Sequence, residues 1–347
     1  MLVTARTRTR LYLLLWATVF ALAWFDPSNT LQRAFASVRG ESSDPSRAPS
    51  HANESTQAGP LAKAQGRTPA DAVVVVSIDG LRPDIITPSV KSLHRLYLQG
   101  ASAKVARTID RSATLPSHAS MVSGVEPDEH GLDFNAYKPD HANINRATMF
   151  SVAHAAGFPT YMFVGKAKLK HLLSKPSDAQ LKFAGMNCKR VVREALPQLQ
   201  KLKHGVLFMH FADPDSSGHR VGWMTDDYVR AVHAADHCLE QVMKAIEEGG
   251  RMSRTLLLVT SDHGGHGRSH GTRMEVDQRI PWFAWGGNTR RGRTDRDVHT
   301  TDTAATVIAA LGLGVPAHMR GKPITEALGA TPGPAGLPLL GGPVQTR

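Results

Sequence analysis

Cysteine is nearly missing: the 347 residues contain two, Cys188 and Cys238. Their spacing fits neither a zinc ribbon nor a CxxC redox pair, which sets aside cysteine-held zinc and thiol redox chemistry. The pair itself stays open between a disulfide formed in an oxidising compartment and two buried thiols. Also missing are an arginine-rich helix, an aromatic RNA-binding signature and a zinc finger. Nucleic-acid recognition is therefore not expected, despite a net charge of +11. That surplus, part of it in the RTRTR run near the N-terminus, suits an anionic lipid, a phosphorylated substrate or simply a basic surface. No internal repeat occurs.

One long apolar run is present, LYLLLWATVFALAWF at residues 11–25, preceded by Arg6, Arg8 and Arg10. A basic flank before a short apolar run reads as a secretory signal or signal anchor. The run falls short of the ~20 apolar residues of a comfortable span. Ala21-Leu22-Ala23 and Ala34-Phe35-Ala36 offer small-residue cleavage sites. Residues 1–36 are thus expected to direct export to a periplasmic or extracellular location, cleaved or kept as a membrane anchor through residues 11–25. Residues 37–69 are rich in Ser, Pro, Ala, Gly, Asn and Gln, with too little apolar surface to fold, and read as a flexible linker. Residues 329–347 read as a disordered Pro/Gly-rich tail. The folded domain is expected over 70–328.

Within it, short apolar runs (VVVVSI 73–78, TYMFV 160–164, GVLFMHF 205–211, TLLLVTS 255–261, PWFAW 281–285) alternate with helical patterns. Continuous apolar runs of this length suit strands covered on both faces. In TDDYVRAVHAADHCLEQVMKAIEEGG (225–250), Val229, Val232, Leu239, Val242 and Ile246 share one helical face, with Thr225 or Asp226 as cap. Residues 147–157 and 302–312 read as further helices, the latter capped by Asp302. The expected fold is α/β, a mainly parallel central sheet with helices on both faces. Such sheets bind ligands at the carboxyl ends of their strands.

The polar clusters fall at those ends: SIDGLRPD with Asp79, SATLPSHASMVSG with Thr114, FADPDSSGH with Asp215 and His219, and SDHGGHGRSHGT with Asp262, His263 and His270. Carboxylates and imidazoles of this kind suit zinc and similar ions. Asp215 and His219 are expected to meet around a Ser-Ser-Gly turn. Gly264 and Gly265 allow the backbone to turn, so that Asp262 and His263 aim at one point. Thr114, ahead of Pro116, is expected at a helix N-terminus, where free N–H groups favour a phosphate oxygen. Beside a divalent cation its hydroxyl is a competent nucleophile.

Taken together, SIDGLRPD, TLPSH…SGVEPDEHGL, DPDSSGH and SDHGG with a following HG resemble the alkaline phosphatase superfamily, in its type I phosphodiesterase/nucleotide pyrophosphatase branch. The resemblance runs over about 70–290. It implies two divalent ions, zinc by family precedent, although Asp/His sets also accept manganese or iron. Asp79, Thr114, Asp262 and His263 would surround one ion. Asp215, His219 and His270 would hold the other. Asn135, twenty-one residues after Thr114, matches the asparagine whose amide binds a phosphate oxygen in this branch; monoesterases use an arginine. The chain has Leu-Pro-Ser-His where many relatives have Phe-Pro-Asn-His after the nucleophile, and its His270 follows SDHGG closely, as in compact relatives, whereas animal nucleotide pyrophosphatases place that histidine much later.

The implied activity is hydrolysis of phosphodiester or nucleotide pyrophosphate bonds through a phospho-threonine intermediate. Its substrate would be a small phosphorylated molecule: a nucleotide, a lipid headgroup or another phosphodiester. A phosphomonoesterase or phosphonate hydrolase is the alternative on the same scaffold, with Lys166 and Lys168 facing a second anionic group; otherwise those lysines read as solvated. A catalytically inactive, membrane-tethered binding protein is the reading from another class. A sulfatase would need CxPxR, which does not occur. A phosphoglycerate mutase fits neither the export signal nor a threonine nucleophile. His118 reads as packed behind the site, His130 as part of a turn, and His266 as a loop residue. His204, His210 and Asp84 read as structural.

Overall fold

A computed structural model describes residues 70–328. The expected N-terminal signal (1–36), linker (37–69) and tail (329–347) lie outside the described residues. Eight strands form one sheet: β1 Ala72–Ile78, β2 Ala101–Ala103, β4 Thr160–Val164, β5 Gln180–Phe183, β6 Gly205–Phe211, β7 Thr255–Thr260, β8 Trp282–Gly286 and β9 Gly292–Thr294. Their spatial order is β5-β4-β6-β1-β7-β8-β2-β9. A small second sheet pairs β3 Ala106–Arg107 with β10 Val298–His299.

The sheet is mostly parallel, as expected. The exception is β8, the PWFAW run, which pairs antiparallel with both β7 and β2. At the centre, β1 lies parallel between β6 and β7, with Ser77 opposite His210 and Thr260. Alternation along β1 feeds two cores: Val73 and Val75 face one side, Val74 and Val76 the other. All four are fully buried, and each contributes about 1.5–3 kcal/mol by leaving water. Covering helices on both faces explain why these strands are apolar throughout.

The longest helix, Asp226–Glu248, is capped by the Thr225 side chain, which accepts the Tyr228 N–H. It buries Tyr228, Val232, Leu239, Val242 and Ile246, with Val229 only half-buried. Cys238 on this helix is joined by a disulfide to Cys188, the first residue of helix Cys188–Lys201. The helix expected over 147–157 spans Met149–Ala155, capped by Thr148. Asp302 is not a cap: it is the first residue of helix Asp302–Ala310, and its carboxylate instead accepts the N–H groups of His299 and Lys322.

Candidate two-metal active site

Four adjacent strands, β4, β6, β1 and β7, deliver polar residues to the same carboxyl edge. Asp79 follows β1, and Asp262 and His263 follow β7. Asp215 and His219 lie beyond β6 on helix Asp213–Val221. They are therefore one helical turn apart rather than flanking a Ser-Ser-Gly turn, because Pro214 at the first turn and Asp213 and Asp215 near the N-terminus favour helix there. The Asp215 N–H donates to the Asp79 carbonyl at 3.1 Å, locking this helix onto the end of β1. Gly80 makes the approach possible: its φ is +70°, and a Cβ there would lie 3.0 Å from the Asp215 Cα. Gly264 and Gly265 serve close approach as well, since Cβ atoms on them would meet the Val276 carbonyl and the Trp223 ring at 2.0 and 2.2 Å.

Two triads result, Asp79/Asp262/His263 and Asp215/His219/His270, with the ligand atoms of each within 4.8 Å of one another. The first is fully buried, while His219 opens the second to solvent. They adjoin, with His263 Nε2 3.4 Å from Asp79 Oδ1 and 3.9 Å from Asp215 Oδ1. Thr114 is the first residue of helix Thr114–Ser123, and its Oγ1 lies 3.4 Å from His263 Nε2.

Three imidazoles point the same way. His219, His263 and His270 each donate Nδ1–H to a backbone carbonyl, those of Arg268, Gly264 and Ser112, at 3.1, 2.8 and 2.8 Å. A carbonyl can only accept, so when the ring is neutral its Nε2 lone pair faces the site. Burial holds His263 below the usual histidine range and His270 down at about 4, which keeps both neutral. His219 is held above that range by the Asp215 carboxylate, whose Oδ1 lies 3.4 Å from its Nε2.

The residues fit a pair of divalent cations on one direct observation. Asp79 Oδ1, Asp215 Oδ1 and Asp262 Oδ2 are buried oxygens with no hydrogen-bond partner. An unpartnered buried carboxylate oxygen is costly unless a cation meets it. Burial and the charge of Asp79 push the Asp262 carboxyl well above the usual range. Burial acts likewise on Asp79, but Lys166, His210 and His263 outweigh it and hold that carboxyl well down.

Behind the ligands stand His118, expected there, and His210 and Lys166, whose partners the sequence does not show. His210, read as structural, accepts the Gly165 N–H at Nδ1 (3.2 Å) and so donates Nε2–H to Asp79 Oδ2 at 2.8 Å. His118 donates Nδ1–H to the Thr114 carbonyl (2.7 Å), accepts from Ser77 Oγ (2.8 Å), and has Nδ1 3.3 Å from Asp262 Oδ2. Lys166, expected to face an anionic substrate group or else to be solvated, is drawn into the site by carboxylates: its Nζ lies 2.7 Å from Asp79 Oδ2, contacts Asp215 Oδ2, and is 3.5 Å from Thr114 Oγ1. Lys168 is half-buried and donates to Asn135 Oδ1 at 2.8 Å. The Leu115 N–H donates to the same oxygen at 3.0 Å, which turns the Asn135 amide NH₂ away from both donors. His266 pairs with Asp277 and stands in neither triad. His130 ends the short helix Pro127–His130, and Asp213 caps the Cys188 N–H.

This architecture defines an alkaline phosphatase-like α/β protein. Residues 73–280, more than half of the chain, match the family described as Type I phosphodiesterase / nucleotide pyrophosphatase. The chain belongs to that family. Among curated proteins it is 23% identical over 218 residues to venom phosphodiesterase CdcPDE of Crotalus durissus collilineatus, covering 55% of this chain and 26% of that protein. It is 30% identical over 143 residues to a 2,3-bisphosphoglycerate-independent phosphoglycerate mutase of Clostridium perfringens, covering 39% and 27%. The chain thus spans about a quarter of the length of these relatives. Human ectonucleotide pyrophosphatase/phosphodiesterase 5 shares the fold with a TM-score of 0.63 at 14% identity, over 74% of this chain and all of that one. A 2-O GAG sulfatase does so with a TM-score of 0.64 at 14% identity, over 77% and 76%. The murine ectonucleotide enzyme, solved as an inactive threonine-to-alanine variant with AMP, gives a TM-score of 0.60 at 15% identity, over 70% and 96%.

Proposed function

We propose that the chain is a two-metal hydrolase of phosphodiester or nucleotide pyrophosphate bonds, with Thr114 as nucleophile. The observation that carries this reading is the convergence of six Asp and His side chains, three of them with unpartnered buried oxygens, beside one threonine hydroxyl at a helix N-terminus. Asp79, Thr114, Asp262 and His263 would hold one ion, and Asp215, His219 and His270 the other. When bound, such a pair supplies Lewis-acid stabilisation of the attacking and leaving oxygens.

The chain's own residues do the rest. The Thr114 oxygen attacks phosphorus in line, its proton lost to solvent, and the P–O bond to the leaving group breaks. The Asn135 amide donates to a non-bridging oxygen, and the helix N-terminus adds its positive end to that charge. Water then attacks the phospho-threonine from the side the leaving group vacated, and the P–Oγ1 bond breaks to restore Thr114.

Zinc is the ion expected, and the substrate class is a small phosphodiester such as a nucleotide or lipid headgroup; AMP in the murine relative supports the nucleotide. The Cys188–Cys238 disulfide supports an oxidising, exported location, in line with the basic and apolar N-terminal segment. One observation favours the phosphomonoesterase or phosphonate reading: Lys166 and Lys168 bring two positive charges to Thr114 and Asn135, which suits a more anionic substrate.

The test is a comparison of bis-p-nitrophenyl phosphate with p-nitrophenyl phosphate on zinc-loaded protein, wild type against Thr114→Ala. We expect preference for the diester, and complete loss of turnover in the variant with metal content retained. Turnover surviving in Thr114→Ala would overturn the covalent route. Preference for the monoester would select the second reading. Inactivity of the wild type with less than stoichiometric metal would mark an inert fold.

A further inference from the structure

Lys166 stands between the two triads. Its Nζ forms an ion pair with Asp79 Oδ2 at 2.7 Å and donates to Asp215 Oδ2. Asp79 belongs to one triad and Asp215 to the other. The placement is built into the fold. Lys166 follows β4 by two residues, and the intervening Gly165 gives its N–H to His210 Nδ1. His210 in turn donates to Asp79 Oδ2, so one imidazole fixes both the lysine's backbone and one of its acceptors. The lysine side chain is 12% exposed.

The charges make the position consequential. Three buried carboxyl groups, Asp79, Asp215 and Asp262, crowd together, and one ammonium contacts two of them. Two dications at the unpartnered Oδ1 atoms would bring four positive charges to the same carboxylates, whose Oδ2 atoms Lys166 holds. An ammonium on the other oxygen of each carboxylate would be strongly repelled at such separations in a low-dielectric site. It would also withhold the Asp79 and Asp215 oxygens it already engages.

We propose that Lys166 is an internal counter-ion that competes with the metal pair. In the metal-free protein it neutralises Asp79 and Asp215, and it must leave them for the ions to enter. It thereby weakens metal affinity in exchange for a metal-free site that tolerates its own buried carboxylates. This rests on the two-metal reading above.

The test is zinc affinity, measured by competition with a chromophoric chelator on metal-stripped wild type, Lys166→Met and Lys166→Gln, alongside thermal melts in EDTA. Lys170→Met, at an exposed position four residues on, is the control. We expect both Lys166 variants to bind zinc at least ~10-fold more tightly than wild type, by the removed repulsion, and to melt lower in EDTA. Lys170→Met should do neither. The glutamine variant keeps a hydrogen-bond donor for the carboxylates if the methionine variant fails to fold. Wild type that binds two ions, with Lys166 variants that bind them no more tightly, would overturn the competition and leave the two-metal reading standing. One ion in wild type and two in the variants would mean that the lysine is never displaced, and would overturn it too. No zinc in any of them would sink the two-metal reading itself.

Discussion

Replacing Asp262 with asparagine should change stability in opposite senses with and without metal. Asp262 is fully buried, its Oδ2 has no partner, and burial with the Asp79 charge pushes its carboxyl well up. Asparagine keeps an acceptor for the Gly80 N–H, which Oδ1 now takes at 3.2 Å. It removes the ionisable group and puts an NH₂ where Oδ2 stands, 3.2 Å from the His263 Nε2 lone pair. A buried group left unsatisfied costs about 1–3 kcal/mol. For a domain of this size 1 kcal/mol moves Tm by roughly 2–4 °C. In EDTA, Asp262→Asn should therefore melt about 2–12 °C higher than wild type. Zinc should reverse the order. At a free concentration 100 times its Kd, each ion stabilises by about 2.7 kcal/mol, and the variant loses that gain at the buried triad. Differential scanning fluorimetry across a zinc titration reads both effects. A variant that melts lower than wild type in EDTA, or keeps the full zinc increment, would refute the reasoning.

Other predictions follow from single contacts. Asn135→Ala should lower kcat by about 10²–10³ through loss of one oxyanion donor, while zinc binding measured with a chelator stays unchanged. Cys188→Ser removes a disulfide closing a 50-residue separation and should cost about 4 kcal/mol in a denaturant melt. His130 is buried away from the metal ligands, accepting the Leu132 N–H and donating to Ser120, and burial holds it down at about 4. Its unfolded-state value is higher, so stability is intact above about pH 6.5 and falls as pH drops toward 4, by up to about 3 kcal/mol. His130→Gln should flatten that slope in urea melts taken from pH 7 to 4.

The central strands were legible because burial on both faces leaves only apolar residues: GVLFMHF predicts β6 to the residue. Edge strands were not. QLKF of β5 is largely exposed, and ASA of β2 is three small residues, so neither carries a pattern. The polar ends of β1, β6 and β7 were readable by the rule that such sheets gather ligands at strand ends. Lys166 obeys the same rule at the end of β4, where the sequence offers it as a contact for an anionic substrate group or as a solvated cation; its pairing with the carboxylates of Asp79 and Asp215 is the part not legible. His210 carried a signal of its own, an imidazole inside an otherwise apolar buried strand, which requires a buried partner. Nothing in the sequence shows that Asp79 is that partner, because the contact depends on the β1–β6 register. The Ser-Ser-Gly segment was misread as a turn, although a proline and two acids at its start are also a helix N-terminal pattern.

The most direct test of the two-metal account is anomalous diffraction at the zinc edge from crystals of the zinc-soaked domain. It should show two peaks of comparable height, one touching Asp79, Thr114, Asp262 and His263, the other touching Asp215, His219 and His270. A single peak, or peaks away from these side chains, would contradict it.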